Sequence, residues 1–192
     1  FANYDSSFGQ LGAGAEYVAV VFMLAAALPF VRYVQLLNGS SAPLFKDSQI
    51  RGFFVAIFVV VVILFFWHWA FVSGDLERSF RKSLFNGVSI LTGTGYASEN
   101  YGRWGDFPVT LFFMIGLIGG CAGSTTCSIK IFRYQLLFAS IKSQLRKTRS
   151  PHGIFTPRYA GRPVGDDVLN SVMSFFVFFV VTLGVLLLLI CK

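Results

Sequence analysis

The sequence predicts an all-α membrane protein, and three observations carry that prediction. Long apolar runs follow one another: residues 53–66 hold no polar side chain, and residues 172–190 hold only Ser174 and Thr182. Charged residues make up 13% of the 192-residue chain against 55% hydrophobic, where about a quarter charged is usual for soluble domains. Between two of the runs lies a short apolar helical pattern that ends in a Gly/Thr turn. About 20 consecutive apolar residues match the hydrocarbon thickness of a bilayer. The expected architecture is therefore a series of membrane helices with a re-entrant hairpin between two of them, in a fragment of a larger chain. With no initiator Met and no leader segment, both ends read as cut from something longer.

The first helix is expected over 15–37, with Glu16 at the positive end of its dipole. Arg32 and Tyr33 fall at its far end, where long side chains reach the interface. A loop over 38–49 follows, marked by Gly39, Pro43 and Lys46. The second helix is expected over 52–72 and ends in the interfacial belt Trp67, His68 and Trp69. His68 reads as packing among aromatics, with a pH sensor as the lesser alternative. Within residues 73–106, four basic and four acidic residues balance, which places the segment outside. Its middle, 80–91, repeats Phe80, Leu84, Val88 and Leu91 at helical spacing, over about 18 Å of helix, too short to span. It reads as a hairpin that dips in and returns. A third segment, 107–142, would reach about 54 Å as one helix. Its own sequence interrupts it at 119–128, giving half-helices over 107–118 and 129–142. A hydrophilic stretch over 143–167 and a last helix over 168–191 complete the chain. The amino end and hairpin are expected outside, the 38–51 and 143–167 loops inside.

The formal charge is +7, and eight of the sixteen Lys and Arg residues lie from Lys130 to Arg162. That is the footprint of a cytoplasmic loop, with contact to anionic lipid or a protein partner as a secondary reading. No nucleic-acid module is visible. Cys121, Cys127 and Cys191 give no disulfide framework or common zinc spacing and read as small buried side chains. No nucleophile–base–acid set or metal cluster is visible either. His68 and His152 are expected on opposite sides of the membrane, which argues against an enzyme.

Two segments carry chemistry. A dehydrated cation needs several oxygens at fixed distance, and backbone carbonyls supply them where glycine frees the backbone. Thr92, Gly93, Thr94, Gly95 and Tyr96 have that character. The threonine hydroxyls can add a ligand or brace the strand, and Tyr96 can wedge it. The preceding helix aims its negative end at the same point. The second segment, Gly119, Gly120, Cys121, Ala122, Gly123, Ser124 and Thr125 continued through Ser128, contains no large side chain. Close helix packing, a kink, or an unwound loop beneath the filter are the three readings, and the density of small and hydroxyl residues favours the loop. Lys130 and Arg133 lie three apart, on one helical face, and either respond to that loop or anchor at the inner interface.

The order of these parts resembles the Trk/Ktr potassium-transporter superfamily, and most closely its TrkH-type bacterial pore subunit. The matching features are a helix, a pore helix, Thr-x-Thr-Gly-Tyr, and a helix broken by Gly-Gly-Cys-Ala-Gly-Ser-Thr and resumed by Ile-Lys-Ile-Phe-Arg. The resemblance covers essentially the whole chain. It implies four potassium-channel-like repeats around one pore. Residues 1–51 would end the second repeat, 52–142 would be a complete third, and 143–192 would open the fourth. Phe1 to Asp5 resembles the stretch after the second filter. The resemblance further implies potassium at the filter as the transported ion, Gly95 as the central filter glycine, and the 119–128 loop as gate. No covalent cofactor is implied. Implied partners are the lipid bilayer, the remaining repeats, a second copy of the subunit in a homodimer, and a cytosolic nucleotide-binding regulator on the basic side. The implied location is the bacterial inner (plasma) membrane, multi-pass. Thr126-Cys127-Ser128 departs from the further glycines of many relatives, which puts loop mobility in doubt. The competing function is a sodium-coupled or other cation carrier working by alternating access. It predicts charged residues near the site, and the sequence places none in the helices around the filter.

Overall fold

A computed structural model describes residues 7–40, 42–149, 157–159 and 161–190, without the side chain of residue 43. The expectations for residues 1–5, His152 and Cys191 therefore lie outside the described residues. The chain divides into two compact units, one ending at Ile131 and the other beginning at Phe132.

The first unit opens with α1 (Ala13–Ala26) and α2 (Phe30–Leu37), which meet at 91°. The single helix expected over 15–37 is therefore broken. Pro29 caps α2 and has no N–H to continue the ladder from α1. A short α3 (Ala42–Lys46) precedes α4 (Ser48–Phe71), whose cap Asp47 accepts from the Gln49 amide at 2.9 Å. Its 24 residues reach about 36 Å, enough to cross the hydrocarbon core. Phe53, Ile57, Val60, Val61, Leu64 and His68 form its buried stripe.

The pore-helix pattern becomes α5 (Leu76–Leu91), one turn longer than expected because Asp75 caps it through the Glu77 amide. At 16 residues it spans about 24 Å and still cannot cross. Gly87 lets it lie close to α4, where a Cβ would stand 3.2 Å from Leu64. A 3-10 turn, Tyr101–Trp104, leads into α6 (Asp106–Gly116), and the next helix, α7 (Ile131–Arg149), begins only after a fourteen-residue interruption, 117–130.

Within the second unit, α7 runs on to Arg149, a two-residue hairpin pairs β1 (Arg158–Tyr159) with β2 (Arg162–Pro163), and α8 (Asp166–Ile190) follows. Among the described helices, α4 and α8 are long and apolar enough to cross a membrane singly, and the bent α1–α2 pair makes a third candidate span.

Candidate functional site

α5 ends at Leu91, and the chain turns back over Thr92 to Tyr96. Gly93 and Gly95 take positive φ of 72° and 75°, a conformation in which a Cβ is strained. Ser89, in the last turn of α5, organises the segment from behind. Its carbonyl accepts from the Thr94 and Gly95 amides at 3.0 and 3.3 Å, and its hydroxyl donates to the Tyr96 carbonyl at 2.6 Å. Thr92 and Thr94 join their hydroxyls at 2.9 Å. The carbonyls of Thr92, Gly93, Thr94 and Gly95 accept no hydrogen bond among the described residues, and residues 93–96 are exposed. Tyr96 rests its ring on Phe8 at 5.2 Å, and Phe8 donates its amide to the Ala97 carbonyl.

The returning strand is pinned to α5 by polar side chains. Asn86 accepts from the Ser98 amide and donates to its hydroxyl, at 3.2 and 3.0 Å. Lys82 donates to the Ser98 carbonyl at 3.1 Å and to Glu16 at 2.7 Å. Arg81 takes the other Glu16 oxygen at 2.6 Å. Charged residues therefore do stand near the segment expected to be a filter, where none was expected in the surrounding helices. The 80–91 pattern is apolar at Phe80, Leu84, Val88 and Leu91, whereas Arg81 and Lys82 between them turn inward to meet Glu16. Three residues beyond Tyr96, burial raises the Glu99 carboxyl. Hydrogen bonds from His68 and Trp104 and the charge on Lys82 outweigh that and hold it at about 2.

The interruption 117–130 is an ordered loop. It is closed at its base by a parallel bridge: Gly119 N donates to Ile129 O at 2.7 Å and Ile129 N to Leu117 O at 3.2 Å. Ser128, the one non-glycine residue with positive φ among the described residues, donates its hydroxyl to Gly116 O at 2.6 Å. Gly119 and Gly120 leave no room for a side chain, since a Cβ on the first would collide with the Cys127 carbonyl. One on the second would lie 2.8 Å from Thr126 and 2.9 Å from Ala27 O. Lys130 donates to the Thr126 carbonyl, to its hydroxyl at 2.9 Å and to Ser124 O at 3.5 Å. The loop also reaches the 92–96 segment: a Cβ on Gly93 would stand 3.1 Å from Cys127 Cβ.

A family model described as TrkH, cation transport protein, matches residues 39–191. The chain belongs to this TrkH family. It is 37% identical over 188 residues to the Trk system potassium uptake protein TrkI of Halomonas elongata, covering 96% of this chain and 38% of that protein. It is 30% identical to the Trk system potassium uptake protein TrkG of Escherichia coli K12, covering 96% and 40%. The crystal structure of the potassium transporter TrkH from Vibrio parahaemolyticus superposes with a TM-score of 0.90 at 25% identity, over 96% of this chain and 41% of that one. The chain thus spans about two-fifths of the length of these TrkH-family relatives. The all-α membrane fold expected from the sequence is the fold this comparison shows.

Several expectations change in the structure. Lys130 precedes α7, so it shares no helical face with Arg133, and its ammonium bonds the loop at Thr126. Arg133 instead lies 3.5 Å over the Phe175 ring in the second unit. Cys121 is buried as expected, but Cys127 is exposed. Arg32 and Tyr33 are held internally, by Asp47 at 2.7 Å and by the Ala25 carbonyl at 2.6 Å. His68 is buried between Ser79 and Glu99 and packs on Trp104. Sequence reasoning missed Ser89, Asn86 and Gln49, whose side chains grip the two loops. Ser89 stood one turn before Thr92, where a hydroxyl at a helix end suits a following turn. Gln49 carried no such signal.

Proposed function

We propose that the chain contributes one filter segment and the gate of a potassium-conducting pore in a Trk-type uptake system. The observation that carries this is the contact of two irregular loops at one point, Cys127 of the 117–130 loop against Gly93. Gly93 and Gly95 take positive φ, and the carbonyls of Thr92 to Gly95 accept no hydrogen bond among the described residues. Unpaired carbonyls on a glycine-freed backbone suit a cation stripped of its water. A loop of small residues pressed against their inner end suits a barrier. The relatives' names support potassium as the ion. The remaining repeats, a dimeric assembly in a bacterial inner membrane and a nucleotide-binding regulator on the basic side belong to the same proposal. The carrier alternative gains little from the buried charges, because Glu16 is matched by Lys82 and Arg81.

The test uses the intact transporter carrying this sequence, in proteoliposomes. Gly95→Ser should reduce potassium over sodium discrimination in a rubidium and sodium flux assay, and unchanged discrimination would count decisively against the filter. Shortening the 119–128 loop should raise basal flux. A folded variant with unchanged flux would assign the loop to packing.

A further inference from the structure

Of the five bonds that fasten the 117–130 loop to elements other than α6 and α7, four converge on one place. Cys121 N donates to Ala27 O at 3.2 Å, and Thr125 donates through its amide and hydroxyl to Ala26 O at 3.3 and 3.1 Å. In return, Phe30 N donates to Gly123 O at 3.0 Å. These groups are free because the α1–α2 helix breaks there: the last carbonyls of α1 and the first amide of α2 have no helical partner at a 91° bend. The fifth bond comes from a side chain, Gln49 Oε1, which accepts from the Ala122 amide at 3.0 Å.

We infer that the break in the first helix is a receptor for the gate loop, and that Gln49 is the positioning residue that holds the loop in its closed place. This rests on the gate reading above. Gln49 is the second residue of α4, and its amide is fixed by Asp47. Asp47 is in turn clamped by Arg32 of α2 through two bonds to one oxygen, at 2.9 and 2.7 Å. Thus α2, the start of α4 and the loop form one linked set, running Arg32–Asp47–Gln49–Ala122. A shift of α2, at one end of the set, pulls on the loop at the other. The barrier is therefore latched by residues 70 or more positions earlier in the chain, outside its own helix pair. Because the bonds at the break use backbone groups apart from the Thr125 hydroxyl, Gln49 is the residue outside the loop where the latch can be released by substitution.

The experiment measures basal rubidium flux and rubidium over sodium selectivity of the intact transporter in proteoliposomes, without regulator. Gln49→Ala should raise basal flux by about threefold to tenfold, the weight of one net hydrogen bond, with selectivity unchanged. Gln49→Glu, which keeps an acceptor oxygen at the same reach, should bring flux back towards the closed level. If Gln49→Ala does not accumulate as folded protein, Gln49→Met, of similar volume and without a strong acceptor, carries the same expectation, and Thr125→Val should act in the same direction. The shortened 119–128 loop runs alongside. If it raises flux and the Gln49 variants do not, the latch is overturned and the gate stands. If neither raises flux, both fall. Equal flux from Gln49→Ala and Gln49→Glu would also overturn the latch.

Discussion

Gly93 and Gly95 share a positive φ but not their surroundings. A side chain at either position meets the left-handed strain of roughly 1–2 kcal/mol. At Gly95 an added Cβ would touch nothing within 4 Å, whereas at Gly93 it would press on Cys127 Cβ at 3.1 Å and Cys127 N at 3.3 Å. Gly93→Ala should therefore lower the thermal midpoint of the intact protein more than Gly95→Ala, and also raise basal flux by lifting the loop. Equal shifts in a thermal unfolding scan would remove the contact from the account. The need for glycine at both sites was legible in the sequence, since a carbonyl-lined strand demands it. The contact with Cys127 was not, because nothing in a local pattern says which residue 34 positions later will lie beneath.

At the scale of elements, helix breaks divide into one that was legible and one that was not. The interruption of the third segment was visible as a run of small and hydroxyl residues, and the structure places its ends within two residues of the expected ones. The α1–α2 break was hidden inside an apolar stretch whose composition suited a continuous span. Pro29 was the signal, and its meaning came from partners elsewhere: the loop groups that satisfy the freed backbone. The helix starts were legible in principle at Asp47 and Asp75, both caps. Lys130 gives a prediction at this scale. Its ammonium gathers the Thr126 and Ser124 carbonyls, so Lys130→Met leaves them without that donor, at a cost of about 1–3 kcal/mol. Amide hydrogen exchange across 120–128 should quicken in Lys130→Met and stay as it is in Arg133→Met, whose recorded partners are Phe132 and Phe175. Equal effects of the two substitutions would return Lys130 to the role of an interface anchor.

At the scale of the whole molecule, the 92–98 segment is held by ties of long sequence separation that no periodicity discloses. Glu16 lies in the first turn of α1, where its charge suits the helix dipole as expected. Yet it is 1% exposed and is held by two cations from α5, 65 and 66 residues later. The two cations are not equivalent. Arg81 also bonds Glu77, which is exposed and whose carboxyl it draws below its usual range. Lys82 is buried and has Glu16 as its ion-pair partner. Removing the carboxylate strands a buried ammonium, and breaking a buried pair from one side costs about 3–5 kcal/mol. Removing the ammonium leaves Glu16 with Arg81. Glu16→Gln should therefore destabilise the intact protein more than Lys82→Met, and the double substitution should recover much of the Glu16→Gln loss. Because Lys82 also donates to Ser98 O, three residues past Gly95, Lys82→Met should weaken potassium over sodium discrimination even where it unfolds at the wild-type temperature. Thermal unfolding of the three variants and paired rubidium and sodium fluxes would measure both effects. Additive losses in the double variant would dissolve the pair, and a Lys82→Met protein with full discrimination would separate the charge cluster from the filter.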